Sequence, residues 1–151
     1  MSDLMKQQKE GGFLISKIHH ISQRIFTKIL KKYNLEEFNH AQGRIMFVLW
    51  REDNLPIHIL VEKTQFSKST LTFHLDNLEK AGLIRRDLNK DDRREILIKL
   101  TEKNKALQDD YVDISKEMTK IYYKKFTDKE IKEFEDYLNR ILKNLIDYEG
   151  K

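Results

Sequence analysis

Apolar residues recur along this chain with a helical period nearly everywhere, and with period two in one place. From Ser67 to Lys80, Leu71, Leu75 and Leu78 recur at steps of four and three, which predicts a helix with one narrow apolar face, capped by Ser67. Gly82 follows, a residue able to close a helix in the left-handed conformation. Residues Leu83 to Leu88 and Glu95 to Leu100 then read as strands on either side of the polar turn Asn89-Lys90-Asp91-Asp92, which predicts a β-hairpin. A bare hairpin is marginal in water. Leu83, Ile96, Ile98 and Leu100 are therefore expected to lean on the helix or its neighbours.

The flanking pattern is helical. Residues 1–12 are polar, end in Gly11-Gly12, and read as a frayed end or a short arm. Phe13 to about Tyr33 carries Leu14, Ile18, Ile21, Ile25 and Ile29 at helical steps, widened by Phe26 and Leu30. Asn39 is placed to cap a helix from His40 to about Arg51, dense in Ile45, Met46, Val48 and Leu49, with Trp50 read as packing. Glu52-Asp53-Asn54 makes a turn, Leu55-Pro56-Ile57 resets the chain, and a short helix runs from about His58 to Lys63. Thr64-Gln65-Phe66 leads straight into Ser67, so two short helices joined by a tight turn precede the hairpin: a winged helix-turn-helix. Thr101 is expected to cap one helix reaching about Phe126, and Thr127 with Glu130 forms a capping box for the last helix, which carries Phe134, Leu138, Ile141, Leu142 and Leu145.

The fold class is thus mainly α with a small β-hairpin wing, the winged unit being flanked by long helices. The expected division is a single domain over 1–151, with a winged helix-turn-helix at 38–100 and dimerisation helices at 12–34 and 101–148. Dimerisation is inferred because the long apolar stripes outnumber the partners that one short chain offers.

Composition sharpens this picture in a few places. One proline and five glycines in 151 residues leave few helix breakers. The formal charge of +4, from 29 basic and 25 acidic residues, is too modest to indicate nucleic-acid binding by itself. Its distribution says more. The face of the Ser67–Lys80 helix opposite its leucines carries Ser69, Thr72, Phe73, Asp76 and Asn77, with Lys68 in the first turn, and the hairpin adds Arg85, Arg86, Lys90, Arg93 and Arg94. Hydroxyls, amides and an apolar group can approach base edges, while the cations suit phosphates. The alternative is an ordinary solvated face, or a winged helix that binds a protein partner without reading DNA. An apolar or acidic recognition face would favour the partner, and Phe73 and Asp76 lean that way. No glycine-rich phosphate loop, nucleophile elbow or HExxH is present, so no enzyme is indicated. There is no cysteine, hence no thiolate switch and no Cys-ligated metal. The absence of a signal-peptide core or a long apolar run makes the cytoplasm the expected location, with no membrane partner.

Several stretches together form a family pattern. Asp92-Arg93-Arg94 with Leu100-Thr101 looks like D-x-R-x-x-x-x-x-L-T, and Leu78-Glu79-Lys80-Ala81-Gly82-Leu83-Ile84 looks like L-E-x-x-G-L-I. Lys68-Ser69-Thr70-Leu71-Thr72 is similar to the start of a recognition helix, and Ala41-Gln42 with Ile45 to Leu49 fits the helix before the motif. The chain resembles the MarR family of bacterial transcriptional regulators over nearly its whole length. The resemblance implies a dimeric repressor of double-stranded, palindromic operator DNA, released by a small effector such as an aromatic or phenolic acid. It implies DNA contacts from Ser67, Lys68, Ser69, Thr70, Thr72, Phe73, Asn77, Arg85, Arg86, Lys90, Arg93 and Arg94. It further implies that Arg94 is the arginine at the minor groove, that Arg93 touches phosphate and that Asp92 braces the wing loop. The family's peroxide sensors use a cysteine that this chain lacks. Its zinc sensors use a histidine in the helix after Thr101, also lacking here. His19 and His20 point about 100° apart on a helix, so neither metal nor cofactor is expected. Phe26, Tyr33, His40, Trp50 and Tyr111 lie on elements suited to an effector cleft, without a ligand being assigned to any of them.

Overall fold

The apolar spacing produces helices wherever it has period 3.6. The computed structural model describes residues 2–150, the side chain at position 2 excepted. The chain divides into two compact units between Ile114 and Ser115.

In the first unit, α1 (Ser2–Lys6) and α2 (Gly11–Lys32) precede α3 (His40–Arg51), β1 (Leu55–Pro56), α4 (Ile57–Thr64) and α5 (Lys68–Lys80). Then come β2 (Ile84–Leu88), β3 (Ile96–Leu100) and α6 (Glu102–Ala106), and α7 (Gln108–Tyr122) begins in this unit. The expected cap of α3 is a full capping box: Asn39 accepts from the Gln42 N–H at 2.8 Å, and Gln42 accepts from the Asn39 N–H at 3.3 Å. Leu30, Ile45, Met46, Leu49, Leu60, Leu71, Leu75, Leu78, Leu83, Ile84, Ile98 and Ile114 form the buried core. Every predicted core leucine of α5 lies within it.

The sheet has one strand more than the hairpin expected from sequence. β3 lies between β1 and β2, antiparallel to both, with Leu55 opposite Ile98 and Ile84 opposite Leu100. Pro56 is tolerated because β1 is a two-residue edge strand, where a missing N–H costs no central ladder bond. The Asp53 carboxylate secures the same end of β3, accepting from the Leu100 N–H at 2.9 Å.

Leu83, Ile98 and Leu100 are buried as expected, but Ile96 is 38% exposed. It pairs with the still more exposed Leu88 at the outer end of the hairpin, past the reach of the helical core. The expected single helix after Thr101 is broken at Leu107, whose N–H turns back to the Asn104 and Lys105 carbonyls in a tightened turn. Asn104 itself is 1% exposed and had no role in the sequence reading. Its side chain accepts from Trp50 Nε1 at 2.8 Å and donates to the Leu83 carbonyl at 2.9 Å, tying α3 and the root of the wing to α6. Trp50 packs at 4.2 Å from the Tyr111 ring, in keeping with its expected structural role.

The second unit holds the end of α7 and all of α8 (Asp128–Glu149). Thr127 and Glu130 form the predicted capping box. The Tyr123 ring packs against Phe126 and Phe134, and its hydroxyl donates to Glu135 at 2.9 Å. No residue of α8 is buried, although Phe134, Tyr137, Ile141, Leu142, Leu145 and Ile146 repeat at helical spacing along it. The first half of α2 likewise exposes Phe13, Leu14, Ile15, Ile18 and Ile21. Among the described residues, no helix is long and apolar enough to cross a membrane.

Replacing Asn104 with Ala strands the Trp50 N–H and leaves the Leu83 carbonyl only the longer bond from the Thr101 N–H at 3.4 Å. Urea denaturation should show a loss of about 1–3 kcal/mol, the cost of one stranded buried group; a loss under about 0.5 kcal/mol would mean that the knot is not structural.

Candidate nucleic-acid interface

The turn between α4 and α5 is short because Gln65 adopts a left-handed conformation, φ 60°, closing α4 with its N–H on the Val61 carbonyl. Thr64 bridges the turn, donating to the Leu60 carbonyl at 2.6 Å and accepting from the Phe66 N–H at 3.3 Å. Arg44 of α3 fixes it from outside, donating to the Thr64 carbonyl at 3.3 Å and lying 4.6 Å over the Phe66 ring. Ser67 then caps α5, its hydroxyl accepting from the Thr70 N–H at 3.2 Å while bonding to the Thr70 hydroxyl at 2.9 Å.

Burial of Leu71, Leu75 and Leu78 turns the opposite face of α5 outward. Ser69, Thr72 and Asp76 are exposed, and Phe73 is 61% exposed, a large value for an aromatic side chain. Asn77 is partly buried, nearer the edge of this face than its centre. The far end of α5 closes on Gly82 at φ 74°, with Leu83 N–H on the Leu78 carbonyl and Gly82 N–H on the Glu79 carbonyl. The Thr101 hydroxyl donates to the Gly82 carbonyl at 2.6 Å and Lys103 Nζ to the Ala81 carbonyl at 2.7 Å, so the residues after the wing also hold its root.

At the wing tip, Asn89 and Glu95 bond through backbone and side chains, the latter at 2.7 Å. Asp92 accepts both the backbone N–H and Nε of Arg94 at 3.1 Å. The bond from the Arg94 guanidinium, and after it the bond from the Arg94 backbone N–H, hold the Asp92 carboxyl below its ordinary range. Arg94 remains 93% exposed. Lys90 and Arg93 are exposed too, and among the described residues neither forms an ion pair. A groove of about 600 Å³ lies between the tip and the helices, lined by Ile57, His58, Val61, Lys68 and Ile96 together with Asp92, Arg94 and Glu95 of the wing.

Two of the expected DNA-contacting arginines are otherwise engaged. Arg85 pairs with Asp87 at 3.0 Å, as does Lys99 at 3.5 Å. Arg86 is only 20% exposed and is held by Asp76 at 2.8 Å and Glu79 at 2.9 Å. Sequence reasoning saw a basic cluster, and could not see which cations the neighbouring acids would occupy.

Elsewhere in this unit, His40 meets His19 edge-on at 5.2 Å and Phe26 at 5.7 Å. Burial, then the nearby His19 and Arg44, lowers its pKa. No group of three or more His, Cys, Asp or Glu among the described residues is placed to hold a metal. The Tyr111 hydroxyl is buried without a hydrogen-bond partner beside Trp50 and Phe38.

Comparison with known proteins converges on one group. The family model described as "MarR family" matches residues 38–96, from just before the cap of α3 to the first residue of β3. The organic hydroperoxide resistance transcriptional regulator of Bacillus subtilis is 30% identical over 112 residues, 74% of this chain and 74% of its own. The HTH-type transcriptional regulator MgrA of Staphylococcus aureus is 28% identical over 147 residues, covering 97% of this chain and 94% of that protein. The crystal structure of a mutant MarR from Escherichia coli complexed with operator DNA superposes with a TM-score of 0.75 at 22% identity, covering 87% of this chain and 92% of that one.

One titration tests the packing of α5. His74 Nδ1 is buried without a partner, its ring lying 5.6 Å from Phe66 and 5.3 Å from Phe73, and burial lowers its pKa from 6.5. The folded chain therefore resists a proton that the unfolded chain accepts, and this contribution to stability is lost as pH falls below the ordinary value of 6.5. NMR titration should place the His74 midpoint below 6.5, and His74→Gln should flatten part of the decline in urea midpoint on acidification, His40 keeping the rest. A midpoint at or above the ordinary value would contradict this packing.

Proposed function

The chain belongs to the MarR family of transcriptional regulators, and on that premise we propose that it binds a specific double-stranded DNA sequence as a homodimer, through α5 and the wing. One observation carries the reading. Hydroxyl groups and an exposed phenyl ring stand on the outer face of α5, and the adjoining wing holds Arg94 braced yet almost fully exposed. That combination suits base edges and thymine methyls in a major groove, with a cation at the flanking minor groove. The fold shared with a regulator bound to operator DNA supports it.

A second copy of the chain is the partner that the long helices call for. α8 buries none of its own apolar stripe, and the first half of α2 is as bare. Pairing of two chains covers such faces and presents two copies of α5 related by a two-fold axis, which in turn calls for a palindromic operator. Blocking of promoter access, hence repression, is the regulatory outcome we assign. Release by a small aromatic or phenolic acid is the control we assign to it. The relative named for organic hydroperoxide resistance does not extend that chemistry to this chain, because a thiolate response to peroxide needs a cysteine and the sequence has none.

A duplex enriched from a random pool by the purified protein provides the test. Arg94→Ala should weaken binding to it and reduce the salt slope by about one unit per charge removed, so about two for the dimer. Phe73→Ala should weaken that duplex more than random DNA, while Lys120→Ala, on α7, changes neither. Equal affinity of the wild type for enriched and random duplex at physiological salt would overturn the DNA reading in favour of a protein-binding wing. Sedimentation should give a dimer at micromolar concentration; a stable monomer there removes the two linked half-sites.

A further inference from the structure

The wing and α5 are joined by a charged clamp centred on Arg86. This residue occupies the third position of β2, and its side chain runs back across α5. Nη2 donates to Asp76 Oδ1 at 2.8 Å and Nη1 to Glu79 Oε1 at 2.9 Å. The other oxygen of Glu79 accepts from the backbone N–H of Arg86 itself at 3.2 Å. Asp76 and Glu79 are three residues apart and so lie one above the other on α5. One strand residue is thus gripped at its backbone and at both ends of its guanidinium fork by two successive turns of the helix, which fixes its rotation as well as its distance.

The clamp acts outward of the bonds that hold the root of the wing, those of Asp53, Asn104, Thr101 and Lys103. β2 and β3 pair over five residues, and only their inner ends, at Ile84, Ile98 and Leu100, reach the buried core. The outer end carries Leu88 and Ile96 in the open, so a small rotation at the root moves Arg94 a long way relative to Phe73. Hydrophobic packing alone tolerates such rotation, because it is not directional. Charge-assisted bonds are directional.

We infer that Arg86 is a positioning residue of the DNA-binding site: it locks the angle between α5 and the wing without touching DNA, through its bonds to Asp76 and Glu79. The inference rests on the DNA-binding reading above and replaces the direct contact that the sequence implied for this arginine. The clamp's contribution lies in geometry rather than in stability. Asp76 and Glu79 are 53% and 42% exposed at their side chains, and pairs so exposed contribute little to folding.

Glu79→Ala separates the two roles by sign. If Arg86 contacted phosphate, this change would remove a repelling charge and release the guanidinium, so binding would tighten or stay the same. As a clamp, its loss should weaken affinity for the enriched duplex about tenfold, the scale of couplings carried by residues remote from the ligand. Arg86→Met should weaken binding by a similar factor with its salt slope unchanged, and the double variant should be no worse than the poorer single one, because both break one unit. Thermal melts of each variant, read beside these affinities, should stay close to wild type. Tighter or unchanged binding by Glu79→Ala, a slope about two units lower in dimeric Arg86→Met, or additive losses in the double variant each overturns the clamp and leaves the DNA reading standing. Should Arg86→Met fail to fold, the sign of the Glu79→Ala effect decides alone. A wild-type chain that enriches no duplex from the pool overturns the DNA reading, and the clamp with it.

Discussion

A wing of two five-residue strands cannot order itself in water, and most of the first unit is arranged around that fact. Its inner side chains, Ile84, Ile98 and Leu100, are buried together with the leucines of α5 and with Met46 and Leu49 of α3. Burial of a Leu or Ile side chain contributes about 1.5–3 kcal/mol, so this shared core supplies the affinity between hairpin and helices. Polar links supply the direction: Asp53 at the end of β3, Asn104 at the Leu83 carbonyl, Thr101 and Lys103 at the end of α5, and Arg86 across to Asp76 and Glu79. The exposed outer part of the wing can then hold cations out to solvent while its base stays fixed.

What the sequence made legible was whatever depends on period and on local capping. The leucines at 71, 75 and 78 announced α5 and its core face, and Asn39 and Thr127 announced the starts of α3 and α8 through short-range bonds. The partners of long-range polar groups were not legible. β1 has two residues and contains a proline, so no alternation could reveal it. Asn104 looks like any other polar residue in a helix until Trp50, 54 positions away, is seen bonded to it. The basic cluster of the wing was visible as composition, but its division into Arg86, largely covered between two acids, Arg85 and Arg94, each paired with one acid yet exposed, and Lys90 and Arg93, depends on which acids fold beside them. Ile96 followed the strand alternation correctly and still ended half in solvent, because alternation gives a face and not a depth.

The net charge of +4 describes this surface poorly. Acidic residues near the wing serve to orient or occupy particular arginines, and the cations left over are concentrated at its tip. The apolar surface is divided in a comparable way. One part closes the core of the first unit, and another runs bare along α8 and the start of α2, where exposed Phe, Ile and Leu at helical spacing exceed what a solitary soluble chain usually shows. A reading surface of small polar groups and a separate adhesive surface of helical stripes are what a two-fold DNA-binding assembly requires of each of its chains.

Hydroxyl-radical footprinting on a duplex enriched by the protein tests that account most directly. Two copies of α5 in successive major grooves predict two protected half-sites with centres about one helical turn apart, each bordered by protection of the minor groove where the wing tip lies. A single protected patch without two-fold symmetry, or protection that ignores sequence, would contradict it.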